Sequence, residues 1–420
     1  MAVKMLERLA ARAPVPVFVA MGRDRAPAVE RLLQSADIDV TATPRHASIL
    51  LVAGRVRDSD QAYLDRLHDQ LPHPRATFWW GDEQGDDVDE AQRAASSDDP
   101  VISLRALYRN LISGAHASET HRLADEPPAP WRGKGDHGQG GEGMMGGVPY
   151  GRMMPMPPTP DIRDGLALDI YTTQIGPFMP YWPAGLVLEV TFQGDVIQSA
   201  EVVHPPYPPR DVDRVPFDRL LHETTALAQI ERARAAHHLV CIARVLSLVG
   251  LPTLSRRAQI LAVRVRANER VTIEPLRKAA ARAGLRAALA PGLGRIDDRL
   301  ARELGGPAQR AAGDAIDDRS DNPTYTRLDF TPVTQTKSDC RARLAQWFDE
   351  AEQALALVSA APDAMMDQGA LVEAPWALRA PPIDYRVTEL LPGLEWSEAL
   401  LVLNSFDSAA LCRMAPLEAP

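Results

Sequence analysis

Few side chains in this sequence have the spacing that metal ligands or catalytic groups usually show. The three cysteines, Cys241, Cys340 and Cys412, lie too far apart for a disulfide framework, a four-cysteine cluster or a four-thiolate zinc site. His237 and His238 are adjacent, so on a helix they point to different faces and do not chelate one ion together. We expect one of them to pack or make a polar contact and the other to face solvent.

The remaining candidates for acid–base or calcium chemistry lack partners nearby in the sequence. His204 and His222 have no second acid–base group close to them. Asp211–Asp213 and Asp317–Asp318 lack the loop and the terminal glutamate of a calcium site, so we expect these aspartates to be solvated. Neither a GxSxG elbow nor a GxxxxGK[ST] phosphate loop occurs. Hydrolase chemistry has no support in the sequence.

Length and composition describe an ordinary soluble protein of two or three domains. The chain has 420 residues, of which 45% are hydrophobic and 24% charged, with a net charge of −10 that argues against a general nucleic-acid binder. No apolar run is long enough to span a membrane, and the best ones, Ile49–Gly54 and Ala399–Leu403, have the length of buried strands. The N-terminus lacks signal-peptide features, and the sparse cysteines fit a cytosolic protein with reduced thiols.

The first part of the chain, residues 15–118, alternates between strand and helix patterns. The predicted strands are Val15–Ala20, Ile49–Ala53 and Ala76–Trp80, and the predicted helices are Ala26–Ser35 and Ser59–Leu71. This alternation favours an α/β domain with a mainly parallel sheet. Asp82–Asp99 carries eight acidic residues with Arg93 as its one basic residue, and predicts a solvated loop. Residues 119–160, rich in Gly, Pro and Met, predict an extended linker.

The second part begins as a β-sheet and continues mainly as helices. The predicted strands are Leu166–Ile170, Leu186–Phe192 and Val196–Ala200, with a return to β structure at Ala370–Glu373 and Asp384–Glu389. The predicted helices cover Arg219–Val249, stopped by Gly250–Pro252, and then about 254–266, 275–287, 296–304 and 338–360. The pattern predicts a mostly α-helical domain with a small sheet over residues 161–420.

Two stretches of the first part, Thr43–Val56 (TPRHASILLVAGRV) and Leu64–Asp82 (LDRLHDQLPHPRATFWWGD), resemble the B subunit of NADH:quinone oxidoreductase, respiratory complex I. In that family a strand ending in VAG leads through a helix to DQMPEP and a strand ending in MG. The resemblance implies a domain of the hydrogenase-small-subunit type over residues 1–118. The family holds its terminal iron–sulfur cluster on cysteines, but no cysteine precedes Cys241, so the cluster ligands are missing.

Segments of the second part resemble, in the right order, the large subunit of nickel–iron hydrogenases and its complex I relative, the D (49-kDa) subunit. These segments are Gly176–Ile197, Ala226–Gly250, Gly305–Gly313 with Lys337–Leu355, and Leu371–Val387 with Leu403–Cys412. Among the family motifs that they match are GPxHP…GxLxLxLxxxGExV, GPxxRASG, VEAPRGxLxH…YRV and SFDPCxxC. The resemblance implies a fold of the nickel–iron hydrogenase large-subunit type.

The resemblance also implies two sites, both altered in this chain. The turn that contacts quinone in the family is matched by Gly176, Pro177, Phe178, Met179, Pro180 and Trp182. Met179 replaces the family's histidine and donates neither a proton nor a strong hydrogen bond. The metal corner DPCxxC keeps Asp407 and Cys412 but has Ala409 in place of a thiol, and one thiolate is not a nickel–iron site. We therefore predict no metal and no cofactor.

Together the two resemblances imply a fusion of two subunits that pack against each other in the family. We predict a metal-free peripheral-arm subunit of a complex I-related or energy-converting-hydrogenase-related membrane complex, on the inner face of the cytoplasmic membrane. It would scaffold or couple to antiporter-like membrane subunits, and would not be catalytic alone. Two alternatives stay open: an oxidoreductase subunit that still binds quinone or another redox molecule, and a free soluble binding protein.

The docking hypothesis depends on apolar residues that we expect to be exposed. They lie in the hairpin turn Gly176–Gly185, which includes Phe178, Met179, Tyr181 and Trp182, and among the five methionines between Met144 and Met156. Methionine and aromatic side chains suit the filling of an apolar interface. The sequence therefore predicts that this surface meets the membrane subunits.

Overall fold

A computed structural model of the chain describes residues 12–23, 28–29, 32, 35–81, 92–95, 98–124, 163, 165, 170–207, 215–370, 372–374, 387–407 and 410–411. Predictions for the methionine-rich segment, Asp211–Asp213, Ala409 and Cys412 lie outside these residues. Within the described ranges, no helix has both the length and the apolar character that a membrane crossing requires.

The N-terminal unit is built on a five-stranded sheet whose strands are all parallel. The strands are β1 (Val15–Met21), β2 (Ile38–Val40), β3 (Ile49–Ala53), β4 (Ala76–Trp80) and β5 (Arg93–Ala94), in the order β2-β1-β3-β4-β5. Val17 pairs with Ile49, and Ile49 pairs in turn with Ala76. The prediction of a parallel sheet with helices is confirmed, with β3 and β4 beginning and ending at the predicted residues.

Burial on both faces of this sheet explains the apolar run of β3. Leu50 and Val52 lie in a cluster with Leu64 of helix α1 (Gln61–Gln70). Ile49 and Leu51 lie in the opposite cluster with residues of helix α2 (Val101–Ser113). A strand covered on both faces is uniformly apolar instead of alternating, which accounts for its sequence ILLVA.

The acidic segment Asp82–Asp99 is not wholly the loop that its composition predicts. Arg93 and Ala94 form β5, which pairs with Trp79 and Trp80 and closes one edge of the sheet. The high charge of the segment predicted a loop throughout. The strand was not predicted because it is two residues long and depends on a partner strand. The start of the predicted linker is also attached to this unit: the Thr77 backbone amide donates to the Glu119 carboxylate at 2.6 Å.

The C-terminal unit begins with a three-stranded antiparallel sheet. Its strands are β6 (Ile170–Ile175), β7 (Val187–Gln193) and β8 (Val196–His204), in sequential order. The strand predicted at Leu166–Ile170 overlaps β6 only at Ile170, and residues 166–169 lie outside the description. β6 is mostly exposed, so its polar sequence YTTQ gives no period-2 apolar signal.

Helices make up most of the C-terminal unit. They are α3 (Val215–Leu220), α4 (Leu227–Leu248), α5 (Pro252–Arg266), α6 (Glu274–Arg282), α7 (Leu285–Ala288), α8 (Asp298–Leu304), α9 (Gly306–Ala311), α10 (Pro323–Thr326), α11 (Cys340–Ala360) and α12 (Trp396–Asn404). Most of α4 is buried, including its charged residues Glu231 and Arg234, and α5 and α11 pack along it. The predicted mostly helical domain with a small sheet is confirmed.

The long helix predicted over Arg219–Val249 is interrupted. Thr225–Ala226 forms strand β9, paired antiparallel with Met365–Met366, which is β10. The Leu227 amide also donates to the Ala364 carbonyl, so α4 begins only at Leu227. The partner strand lies far along the chain, which is why local periodicity did not reveal the break.

The β structure predicted near the C-terminus is wrong wherever it is described. Ala370, Val372 and Glu373 are in no strand, and Val387–Leu390 is a 3₁₀ turn. The apolar run Ala399–Leu403, expected to have strand length, belongs to helix α12. Glu395 and Glu398 form a reciprocal capping box at its start, a helix signal present in the sequence.

The two units share a buried contact at Phe178. This residue comes from the C-terminal unit but lies in the cluster of Phe18, Leu50 and Leu64, where it is 4% exposed. A phenylalanine in that position closes one face of the parallel sheet. The hairpin turn therefore joins the two units through a buried contact. Phe178 is not exposed for binding to a partner protein.

We expect Phe178→Ala to destabilise the folded chain by about 3 kcal/mol or more, because a buried phenylalanine is replaced by a cavity. Urea unfolding of the full chain measures the change. Tyr181→Ala, on the same turn but 43% exposed, is the matched control and should cost less than about 1 kcal/mol. Equal effects of the two substitutions would contradict burial of Phe178 at the contact between the units.

Candidate functional site

Gly176 and Trp182 determine the conformation of the hairpin turn. Gly176 has φ +111°, and a Cβ placed on it would lie 2.0 Å from the Leu186 carbonyl oxygen, so only glycine fits. The Trp182 indole N–H donates to that same oxygen at 2.6 Å. Its ring also lies 5.5 Å from that of Trp396, in the core of the C-terminal unit. The turn is therefore a packed structural element.

Exposure of the predicted docking residues differs from expectation. Phe178 and Trp182 are buried, and Met179 is half-buried against the C-terminal core. Tyr181, at φ +60°, remains substantially exposed. The expectation of an exposed apolar turn is wrong for the two aromatic anchors, because each fills the core of one unit.

A cluster of polar side chains joins the two units beside this turn. The buried Asp60 carboxylate accepts from Tyr207 Oη at 2.8 Å and lies 2.9 Å from His204 Nδ1. Arg57 donates to Asp60 at 2.8 Å and to the carbonyls of Pro205, at 2.9 Å, and Gly185. Burial, with Asp60 alongside, raises the pKa of Tyr207. His204 thus has an acidic partner 144 residues away, which sequence spacing did not reveal, whereas His222 is exposed.

A second cluster lies at the predicted metal corner. His237 and Cys241, one helical turn apart on α4, meet Asp407 from the turn that follows α12. Cys241 Sγ lies 3.8 Å from His237 Nε2 and 4.0 Å from Asp407 Oδ2, and the His237 and Asp407 side chains are in direct hydrogen-bond contact. All the donor atoms lie within 4.8 Å of one another. This is a set of imidazole, thiol and carboxylate groups converging on one point.

Arg343 of α11 holds the turn that carries Asp407. Its guanidinium donates to Ser405 Oγ at 2.7 Å and to the Ser338 carbonyl at 2.6 Å, and it stacks 4.0 Å from the centre of the Phe406 ring. Ser405 and Phe406 are both buried. Asp407 therefore directly follows two residues that Arg343 holds in place, and this fixes the position of its backbone.

A buried network of charges lies between α4 and the segment 310–373. Arg310 pairs with Glu350 at 2.8 Å and with Glu373 at 2.8 Å, and Arg319 pairs with Asp317 at 2.7 Å. From α4, Glu231, Arg234 and His238 take part. Asp317 was expected to be solvated, but it is buried here, because both Arg310 and Arg319 neutralise it.

His238 enters this network as a neutral ring. Burial lowers its pKa to about 4, against the attraction of Glu350, whose carboxylate lies 3.0 Å from Nε2. Burial alone would raise the pKa of Glu350, but Arg310 and His238 hold it well below its ordinary value. Nδ1 of His238 meets no hydrogen-bond partner among the described residues, so a second ring proton has nowhere to donate.

The adjacent histidines thus do point to different faces, as expected, but neither face is solvent. His237 meets Asp407 and His238 meets Glu350, and both rings are buried. Of the predicted corner, Asp407 is described and Ala409 and Cys412 are not. His237 and Cys241 were not predicted as a pair, although their spacing of four residues places both side chains on one helical face.

Comparison with known protein families gives a match within the C-terminal unit. Residues 288–391 match the family model described as the 49 Kd subunit of respiratory-chain NADH dehydrogenase. None of the curated protein sequences matches the chain. The C-terminal unit therefore contains a 49-kDa-subunit-like region, which supports part of the resemblance seen in the sequence.

Among solved structures, a chain of the membrane-bound sulfane sulfur reductase, an archaeal respiratory membrane complex, is similar to this one at 17% identity. The alignment covers 58% of this chain and 98% of that chain, with a TM-score of 0.39. A TM-score of this size does not establish a common fold.

We expect the stability of the chain to fall by about 2 kcal/mol between pH 7 and pH 5 on account of His238. Its folded pKa of about 4 lies below the ordinary value of 6.5, so protons bind the unfolded chain first and favour unfolding as the pH falls. Urea unfolding across this range measures the effect. His238→Gln keeps an N–H donor for Glu350 without titrating, and should flatten the profile. A variant profile as steep as the wild type would contradict the neutral buried ring.

Proposed function

We propose that this chain is a peripheral-arm subunit of a membrane complex related to respiratory-chain NADH dehydrogenase. The observation that carries the proposal is the family match over residues 288–391. This matched region supplies Arg310, Asp317, Arg319, Glu350 and Glu373 to the buried network with α4. The region is thus built into the core of the C-terminal unit and is not a peripheral insertion.

The contact between the units supports a fused pair of subunits. In the proposal the N-terminal parallel sheet corresponds to the complex I B subunit, and residues 161–420 correspond to the D subunit and the hydrogenase large subunit. Phe178 and the Arg57–Asp60 cluster join the two parts through both apolar and polar contacts. Covalent linkage of two subunits that pack together raises their effective concentration for each other.

The residues of this chain do not fit the redox metals of the family. A nickel–iron centre of the hydrogenase type and an iron–sulfur cluster each need thiolates in number, and the chain has three cysteines, none before Cys241. Cys340 Sγ instead lies 3.4 Å from Ser405 Oγ, beside Arg343. The proposal therefore gives the chain a scaffolding or coupling role, beside antiporter-like membrane subunits at the inner face of the cytoplasmic membrane.

The quinone-binding alternative has less support. Met179 occupies the position of the family's histidine. Of the acid–base groups at the contact between the units, His204 and Tyr207 both hydrogen-bond to Asp60, which is consistent with a structural role. The hairpin Gly176–Trp182 is retained in the proposal as the counterpart of the family's quinone-facing turn, with a structural role.

Co-purification tests the proposal directly. We expect the full chain, tagged and expressed in its native host, to be recovered from membranes solubilised in mild detergent together with antiporter-like membrane proteins identified by mass spectrometry. The control is the same tag on an unrelated soluble protein, because a variant such as Arg310→Met would disturb the core of the C-terminal unit. Recovery of the whole chain from the soluble fraction without any membrane protein would favour the free binding protein instead.

Elemental analysis tests the loss of redox metals. We expect the purified chain to contain no stoichiometric iron or nickel and to show no iron–sulfur absorption, since the thiolates for such centres are missing. The same purification applied to a known ferredoxin controls for cluster loss during handling. About four irons per chain that survive chelation would overturn this part of the proposal.

A further inference from the structure

Three donor atoms of different chemistry converge at the corner formed by α4 and the turn after α12. We propose that His237, Cys241 and Asp407 bind one zinc ion. The inference stands apart from the proposed function, because it concerns a site within the isolated chain and uses two residues that the resemblance did not assign. It also differs from the redox metals considered above, which need more thiolates than the chain contains.

The separations of the donor atoms suit a tetrahedral ion. Zinc lies at about 2.3 Å from sulfur and about 2.0–2.2 Å from nitrogen or oxygen, which puts sulfur about 3.6 Å from the other two ligands. The observed distances from Cys241 Sγ are 3.8 Å to His237 Nε2 and 4.0 Å to Asp407 Oδ2. His237 and Asp407 are in direct hydrogen-bond contact, and zinc would take the place of that hydrogen bond and move the two side chains apart.

The type and charge of the ligands select the metal. A thiolate and an imidazole favour zinc over magnesium or calcium, both of which prefer oxygen ligands. The thiolate and the carboxylate together balance the two positive charges of the ion. Side-chain exposure is 8% for His237 and 11% for Asp407, so the site is largely buried. Three protein ligands leave the fourth tetrahedral position of a zinc ion to water or another ligand, as in an open zinc site.

The same residues do not form a nucleophilic triad. In a Cys–His–Asp triad, the imidazole uses one ring nitrogen for the thiol and the other for the carboxylate. Here Cys241 and Asp407 both approach Nε2 of His237. Two groups that meet one nitrogen cannot relay a proton through the ring, but they can share an ion with it.

Arg244 lies one turn beyond Cys241 and donates to its Sγ at 3.1 Å. The same guanidinium can hydrogen-bond to a thiolate, which is the form of cysteine that binds metal. It also opposes the approach of a cation, although the carboxylate and thiolate ligands outweigh its single charge. The helical spacing of positions 237, 241 and 244 keeps all three groups on one face of α4.

Cobalt substitution tests the site without any assay of activity. The full chain, untagged and stripped of metal with a chelator, is titrated with Co²⁺ and followed by absorption. We expect saturation at one equivalent, an intense visible spectrum typical of four-coordinate cobalt, a near-ultraviolet thiolate charge-transfer band, and displacement of both by Zn²⁺. Absence of these bands in the folded wild-type chain would overturn the proposal.

Three cysteine variants identify the thiolate. Cys241→Ser should abolish the charge-transfer band, while Cys340→Ser and Cys412→Ser, which remove the other two thiols, should leave it unchanged. The band surviving in Cys241→Ser would overturn the assignment.

Asp407→Asn, a change at the half-buried edge that leaves the apolar core intact, should weaken Zn²⁺ binding more than about tenfold in a competition titration. Unaltered affinity in that variant would exclude Asp407 as a ligand and contradict the three-residue site.

Discussion

The pairing of Arg310 with Glu350 is the interaction on which the rest of the C-terminal unit depends. Both side chains are fully buried, and a charge in that position is tolerated only when opposite charges and hydrogen bonds surround it. Glu350 lies on α11, Arg310 on α9, and His238 on α4, so a single carboxylate fixes three helices relative to one another. Removal of one partner from such a pair typically costs about 3–5 kcal/mol, because the other charge stays behind.

Elements that depend on local sequence were predictable. β3 and β4 are apolar runs bounded by turn residues, and the sequence located both to the residue. Helix α12 was missed although its capping glutamates are visible, since the apolar run was assigned by length alone. The start of α4 and strand β5 could not be located, because each depends on pairing with a distant segment that periodicity does not report.

The candidate site divides in the same way. The resemblance to hydrogenase large subunits pointed to Asp407, and the spacing of His237 and Cys241 is readable on a helix. The sequence does not reveal that Asp407 lies next to His237 and Cys241. That contact requires Arg343 to hold the turn that precedes Asp407. Likewise Asp317 looks like a surface aspartate until the folded chain brings Arg310 beside it.

Helix α4 connects the charge network to the corner. Glu231, Arg234 and His238 form one stripe, and the positions 237, 241 and 244 form another, about 90° away around the axis at 3.6 residues per turn. The first stripe is locked by ion pairs, so the rotation and register of the helix are set by Glu350, Arg319 and their neighbours. The second stripe is therefore fixed as well, and His237 and Cys241 stay close to Asp407 because the helix cannot rotate about its axis. A change of one residue in the register would unpair the buried charges and separate the three donor atoms together. The network therefore stabilises the unit and, through one rigid helix, positions the corner.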